Sequence, residues 1–143
     1  MNPTASSVSA LDAPALLADM RRWSQELGFA RLGVAQIELA GDEAHFLDWL
    51  RAGFHGEMAY MSRHGVKRSR PAELLPGTVS CISVRMDYWP EDAADAEATL
   101  ADRSVAYVSR YALGRDYHKI MRARLQQLCD RIESAVGPFG YRV

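Results

Sequence analysis

The residues best suited to chemistry lie in two short stretches, 109–119 (SRYALGRDYHK) and 55–70 (HGEMAYMSRHGVKRSR). The first joins a strand-like run to the start of a long helical pattern through a loop containing Gly114. A helix start of this kind exposes unpaired N–H groups and the positive end of the helix dipole, and both favour an anion. Arg110, Arg115 and Lys119 set cationic donors around that position, and a guanidinium can grip a phosphate at two points. Tyr111 and Tyr117 offer flat faces and hydroxyls to a ring-bearing ligand, and His118 can give or take a proton. A plainer reading uses the same residues: Asp116 caps the helix and the cations form a solvated face.

In the second stretch, Glu57 and His64 have the types of an acid–base pair. His55 and His64 lack the regular spacing of a helical metal motif, so no metal site is assigned to them. Met58, Tyr60 and Met61 fit core or interface packing better than a cofactor box. Arg63, Lys67, Arg68 and Arg70 could meet RNA phosphates, although a bare charge run is usually a solvated face.

The whole chain supports such local sites without advertising them. Seventeen basic and eighteen acidic residues leave a net charge of −1, which alone argues for neither nucleic acid nor membrane. The sum conceals basic runs at 63–70 and 110–124 and an acidic run at 91–102. With 48% apolar and 24% charged residues in 143, the composition is that of one soluble globular domain. Cys81 and Cys129 form no CxxC pair and are expected to be small buried hydrophobes in a reducing compartment. No apolar run is long enough to span a bilayer, and residues 1–12 lack the basic start and apolar centre of a secretory signal. A cytoplasmic protein is the expectation.

The elements that position the two stretches follow from periodicity. Residues 1–12 read as a flexible tail and 13–143 as the folded part. Leu16, Leu17, Met20, Trp23 and Leu27 repeat at helical spacing, with Asp12 where a cap is wanted and Gly28 where a left-handed residue ends a helix. This predicts a helix over 13–27. Alternation predicts strands over 29–35, 79–88 and 104–109, the second buried on at least one face. Phe46, Trp49 and Leu50 mark a second helix over 42–52, closed by Gly53. Residues 56–64 read as a short helix or turn, 65–76 as a loop with at most one helical turn, and 89–103 as a surface insertion or a short exposed helix. Tyr117, Ile120, Met121, Leu125, Leu128, Cys129 and Ile132 form the inward stripe of a long helix over 116–136. Gly137 and Pro138 stop it, and 141–143 begin what reads as another strand. The order implies an α/β (α+β) fold, with a mixed, largely antiparallel sheet flanked by helices. No glycine-rich fingerprint follows the first strand, which disfavours a dinucleotide-binding sheet. A last strand cut short would leave an edge open to association.

Taken together and in order, LGFARLGVA, FLDWLRAGFHGEMAYMSRH, KRSRPAELLPGTVSCISVRMDY and SRYALGRDYHK resemble the N-terminal domain of epoxyqueuosine reductases, over about residues 24–143. The resemblance implies an oxidoreductase that converts epoxyqueuosine to queuosine at the wobble position of tRNA. It implies cobalamin, two [4Fe–4S] clusters in a following ferredoxin-like domain, an external electron donor and a cytoplasmic monomer in full-length form. It places Arg63, Ser109, Arg110 and Tyr111 near the cobalamin, with Arg115, Asp116, Tyr117, His118 and Lys119 close by. Lys67, Arg68 and Arg70 then face the tRNA.

Two departures qualify that expectation. The family's proton-donor aspartate is expected just after the strand that starts at Tyr141, beyond Val143, so no catalytic residue is assigned within the chain. The cysteine runs that bind the clusters are not in it either. An incomplete N-terminal domain, inert by itself, is therefore expected. A stand-alone corrinoid- or RNA-binding module is the alternative from another class, and related corrinoid reductases that remove halogens are a weaker enzymatic one. The basic loop 63–70 argues against the latter. The sequence that follows Val143 in the gene separates these readings.

Overall fold

The computed structural model describes residues 11–89 and 93–143. Most of the tail assigned to 1–12, and Pro90, Glu91 and Asp92 of the acidic segment, lie outside the described residues.

Local chemistry accounts for the first helix, α1 (Ala13–Glu26). The Asp12 carboxylate accepts a hydrogen bond from the Ala15 amide at 3.0 Å, Pro14 sits in the first turn, and Gly28 at φ +82° reverses the chain after it. The chain then enters β1 (Arg31–Ala35), two residues later than alternation suggested, because Phe29 is taken up in the turn by its amide bond to Ser24. β1 pairs with β2 (Cys81–Arg85) in a two-stranded antiparallel sheet, opened by the Ala30 amide donating to the Arg85 carbonyl at 2.7 Å. Between the strands lie α2 (Ala40–Arg51), 3-10 turns at Ala59–Met61 and Gly65–Arg68, and the single-turn α3 (Pro71–Leu74). After β2 come α4 (Ala96–Ala101), capped by Asp95, a 3-10 turn at Arg110–Ala112, and α5 (Tyr117–Val136). The mixed α/β class expected from the sequence is the one observed.

The chain divides into two compact units. The first holds the described residues of 11–32 and 84–138, with Val143. Its core is the packing of α1 on α5, where Met20, Phe29, Leu32, Leu128 and Ile132 are buried around the fully buried Ser24. The inward stripe predicted for α5 is the face observed: each of its seven residues is at least partly buried. The second unit holds 33–83 and 139–142. There α3 packs on the Gly65–Arg68 turn, and Glu43 of α2 ties both to itself through Ser69 and Arg70.

Four expectations need correction. Residues 104–109 form no strand, since Ser104 lies in a turn, Val105 in a bend and 106–109 in no regular element, and 141–143 form none either. Alternation reports which faces a segment can present, whereas a strand also requires a neighbour for its amides. The segment 65–76 carries two short helical turns, since Pro71 is well placed to start a helix and the chain stays tightly wound around it. Cys81 is exposed and only Cys129 is half-buried, where burial, followed by the nearby Asp130 carboxylate, pushes its thiol pKa up. Cys81 lies on the odd face of β2, which is exposed among the described residues; the even face, with Ile82 and Val84, is half-buried.

Two glycines show opposite constraints. An added Cβ at Gly28 would lie 2.8 Å from the Arg124 guanidinium, on a backbone already at φ +82°. At Gly41, inside α2, it would meet nothing within 4 Å. Gly28→Ala is expected to destabilise by about 1–2 kcal/mol, and Gly41→Ala to stabilise by about 0.5 kcal/mol. Denaturant unfolding followed by circular dichroism measures both signs.

Candidate functional site

In the first unit, the start of α5 gathers an aromatic cluster with one tightly managed carboxylate. Asp116 is the N-cap: its carboxylate accepts the His118 amide at 3.0 Å and lies 3.1 Å from the His118 ring Nδ1. The His118 ring stacks on Tyr117 at 4.0 Å between centroids, and Tyr117 meets Tyr111 edge-on at 6.0 Å. Asp116 therefore takes the plainer role that its position suggested. A carboxylate already occupies the helix end, so an incoming anion would depend on side-chain cations rather than on the open end of the helix. Arg115 and Lys119 are exposed beside it and form no ion pair among the described residues.

Arg110 is directed elsewhere. Its guanidinium lies 3.8 Å over the Trp89 ring and donates to the Ala94 carbonyl at 2.8 Å. Its Nε–H is buried without a hydrogen-bond partner among the described residues. Beside it is a cavity of about 190 Å³ walled mainly by apolar groups, among them Tyr107, Val108 and Leu113. A buried donor lacking an acceptor is costly. The volume suits a side group of a large ligand rather than a whole macrocycle. Ser109 is exposed, and its carbonyl accepts the Ala112 amide in the adjacent 3-10 turn.

Arg63, Lys67, Arg68 and Arg70 belong to the second unit, and they are not equivalent. Arg70 makes a two-point pair with Glu43, Nε to Oε2 at 2.9 Å and a terminal nitrogen to Oε1 at 2.8 Å. The Ser69 hydroxyl adds a third bond to the same carboxylate at 2.6 Å. Arg70, then Ser69, hold the Glu43 pKa down to about 2. Arg68 donates to the Tyr60 carbonyl at 2.6 Å with its guanidinium 5.7 Å from the Tyr60 ring. Arg63 and Lys67 are exposed and form no ion pair among the described residues. Lys67 and Arg68 line an open cleft of about 440 Å³ with His64, Leu74 and Arg142. Arg142 was given no role from the sequence, because only the folded chain brings it to this loop.

Glu57 and His64 form no hydrogen bond with each other, and no group of three or more potential metal ligands occurs among the described residues. No described helix is long and apolar enough to cross a membrane.

The family described as Epoxyqueuosine reductase QueG, DUF1730, matches residues 68–143, more than half of the chain. The chain belongs to that family. Among curated relatives, the epoxyqueuosine reductase of Pseudomonas aeruginosa is 56% identical over 98% of this chain and 38% of its own length. That of Xanthomonas campestris is 56% identical over 88% of the chain and 36% of its own length. That of Vibrio cholerae is 48% identical over 92% and 36%. The chain thus spans somewhat over a third of the relatives it matches. No solved structure matches it. The family model begins at Arg68, inside the basic loop, so it includes both Arg142 and the whole 109–119 stretch.

The Glu43 pair gives a pH test. A carboxylate whose folded pKa is depressed stabilises the fold above its ordinary pKa and loses that contribution as pH falls toward the folded value. The stability difference between the wild type and Glu43→Gln should be constant above pH 4.5 and shrink between pH 4.5 and about 2. Unfolding curves across that range check it; a difference that does not depend on pH would sink the pair as a stabilising element.

Proposed function

We propose that the full-length protein is an epoxyqueuosine reductase that converts epoxyqueuosine to queuosine in the anticodon loop of tRNA, and that this chain is its N-terminal part. Continuous identity to proteins of that name carries the reading: 56% along 98% of the chain. In this reading the full-length enzyme uses cobalamin and two [4Fe–4S] clusters, receives electrons from an external donor, and works as a cytoplasmic monomer. Cobalamin, when bound, supplies the redox-active metal to which cluster electrons pass.

The chain's own residues are fitted to part of that task. Cobalamin bears a phosphodiester and many amide groups. Arg115 and Lys119 offer the phosphodiester cations that form no ion pair among the described residues, and Arg110 lines a small, largely apolar cavity suited to a side group. Ser109, Tyr111, Tyr117 and His118 supply hydroxyls and flat aromatic surface around them, while Asp116 fixes the His118 ring. Arg63, a residue of the second unit, is assigned to the cofactor by the resemblance alone. Lys67 and Arg68 face tRNA phosphates, and Arg70, paired to Glu43, holds the loop that presents them. None of these groups is placed as the proton donor for epoxide opening, which the reading assigns to an aspartate after Val143.

Two outcomes follow. In the full-length protein, Arg115→Ala and Lys119→Ala should each weaken cobalamin binding about tenfold, since a charge-assisted contact is worth about 1.5 kcal/mol or more. Absorbance titration measures this, and unchanged affinity in the double variant removes the assignment. The 143-residue chain alone should form no queuosine in tRNA; turnover by it would show that a proton donor within the chain had been overlooked.

A further inference from the structure

We propose that the second unit carries a phosphodiester clasp, made by Lys67, Arg68 and Arg142 with His64 at its margin, which seats one backbone phosphate of a bound RNA. The inference rests on the tRNA reading above and adds to it a specific site and a residue, Arg142, from a remote part of the chain.

The cleft of about 440 Å³ has five lining residues, of which four are Lys67, Arg68, Arg142 and His64, and the fifth is Leu74. No carboxylate lines it. The nearby Glu43 is turned to Arg70 and Ser69, where its charge is compensated. The lining itself is therefore positive although the whole chain is close to neutral, with Glu73, beside Leu74, the carboxylate next to it in sequence.

The cations are also prepared to different degrees. Arg68 is held by its bond to the Tyr60 carbonyl and lies by the Tyr60 ring, and one such bond leaves most of its five N–H donors for a ligand. Fixing a guanidinium before the ligand arrives lowers the entropic cost of binding. Lys67 and Arg142 form no ion pair among the described residues, so a ligand need not displace a carboxylate from either. Two arginines and a lysine around one opening match the oxygens of a phosphate in number and charge. Lys67, Arg68 and Arg142 are all exposed in this chain, and exposed cations are the kind that track a nucleic-acid backbone.

The assignment is tested on the full-length protein with a labelled anticodon stem-loop RNA, measuring affinity between about 50 and 200 mM salt. Arg142→Gln and Lys67→Gln should each weaken binding about 3- to 10-fold at low salt and lower the slope of log affinity against log salt by about 0.7–0.9. Arg142→Lys should restore most of the slope. Arg51→Gln, a cation of α2 paired to Asp48 and absent from the cleft, should leave affinity and slope unchanged. Thermal melting verifies that each variant is folded, and Lys67→Gln serves if Arg142→Gln is not. Wild-type binding with slopes unchanged in both cleft variants overturns the clasp and leaves the tRNA reading standing. An equal loss in Arg51→Gln overturns it too, by showing diffuse attraction. Failure of the wild type to bind the RNA overturns the tRNA reading and the clasp with it. Inorganic phosphate is the other source of the same chemistry: if it binds the cleft, by chemical shifts lost in Arg142→Gln, while RNA affinity ignores that substitution, the RNA assignment is overturned.

Discussion

The packing of α1 on α5 is the constraint on which the first unit rests. Ser24 is fully buried at that contact, and its hydroxyl is satisfied by the Arg21 carbonyl one turn back at 2.8 Å. A buried hydroxyl tied to its own helix costs little and leaves a small side chain at the interface, so Leu128, 1% exposed, and Ile132 can approach closely. The edges of the contact are polar. Arg131 pairs with Glu26, and Arg124 reaches over Gly28 to within 3.2 Å of the Met86 sulfur. Only a residue without a Cβ permits that approach at a positive φ. The direction of α5 fixes where its first turn lies, and Tyr117, His118 and Lys119 are that first turn.

Charge pairing then separates cations that hold the fold from those available to a ligand. Arg22, Arg51, Arg70, Arg85 and Arg131 face carboxylates. Most such exposed pairs contribute little to stability. The Arg70 pair differs in having two-point geometry and a serine on the same carboxylate, and its effect is to bind α2 to the loop at 69–70. Arg63, Lys67, Arg115, Lys119 and Arg142 lack such partners among the described residues. A chain of near-zero net charge thereby keeps cations without an ion-pair partner among the described residues, because the carboxylates that do pair are taken by a different set of cations.

What the sequence made legible was the local chemistry. The apolar stripes of α1, α2 and α5, the Asp12 and Asp116 caps, and the glycine turns at Gly28 and Gly53 all depend on residues within one or two turns. Pairing was not legible. Residues 104–109 alternate as well as 81–85 do, yet only the latter find a partner strand. The same limit governs the candidate sites. In 109–119 the cations look alike, but Arg110 is drawn to Trp89 and Ala94, well outside that stretch. In 63–70 they also look alike, but Arg70 is taken by a carboxylate 27 residues earlier. A motif shows which groups are present, and the fold decides which remain free.

The partners that fix these groups differ in kind, and so do the demands they place on a ligand. Arg68 and Arg70 are held through a main-chain carbonyl and a carboxylate, contacts that leave the cleft wall polar and accessible. Arg110 is held under an aromatic ring with one donor buried and unsatisfied, beside apolar walls. The first arrangement attracts charge from a distance and is weakened by salt, as a polyanion's contacts are. The second gains from desolvation and from one well-placed acceptor, as the contacts of an enclosed organic ligand do. The two basic stretches of this chain, similar in composition, are thus folded into surfaces of different kinds.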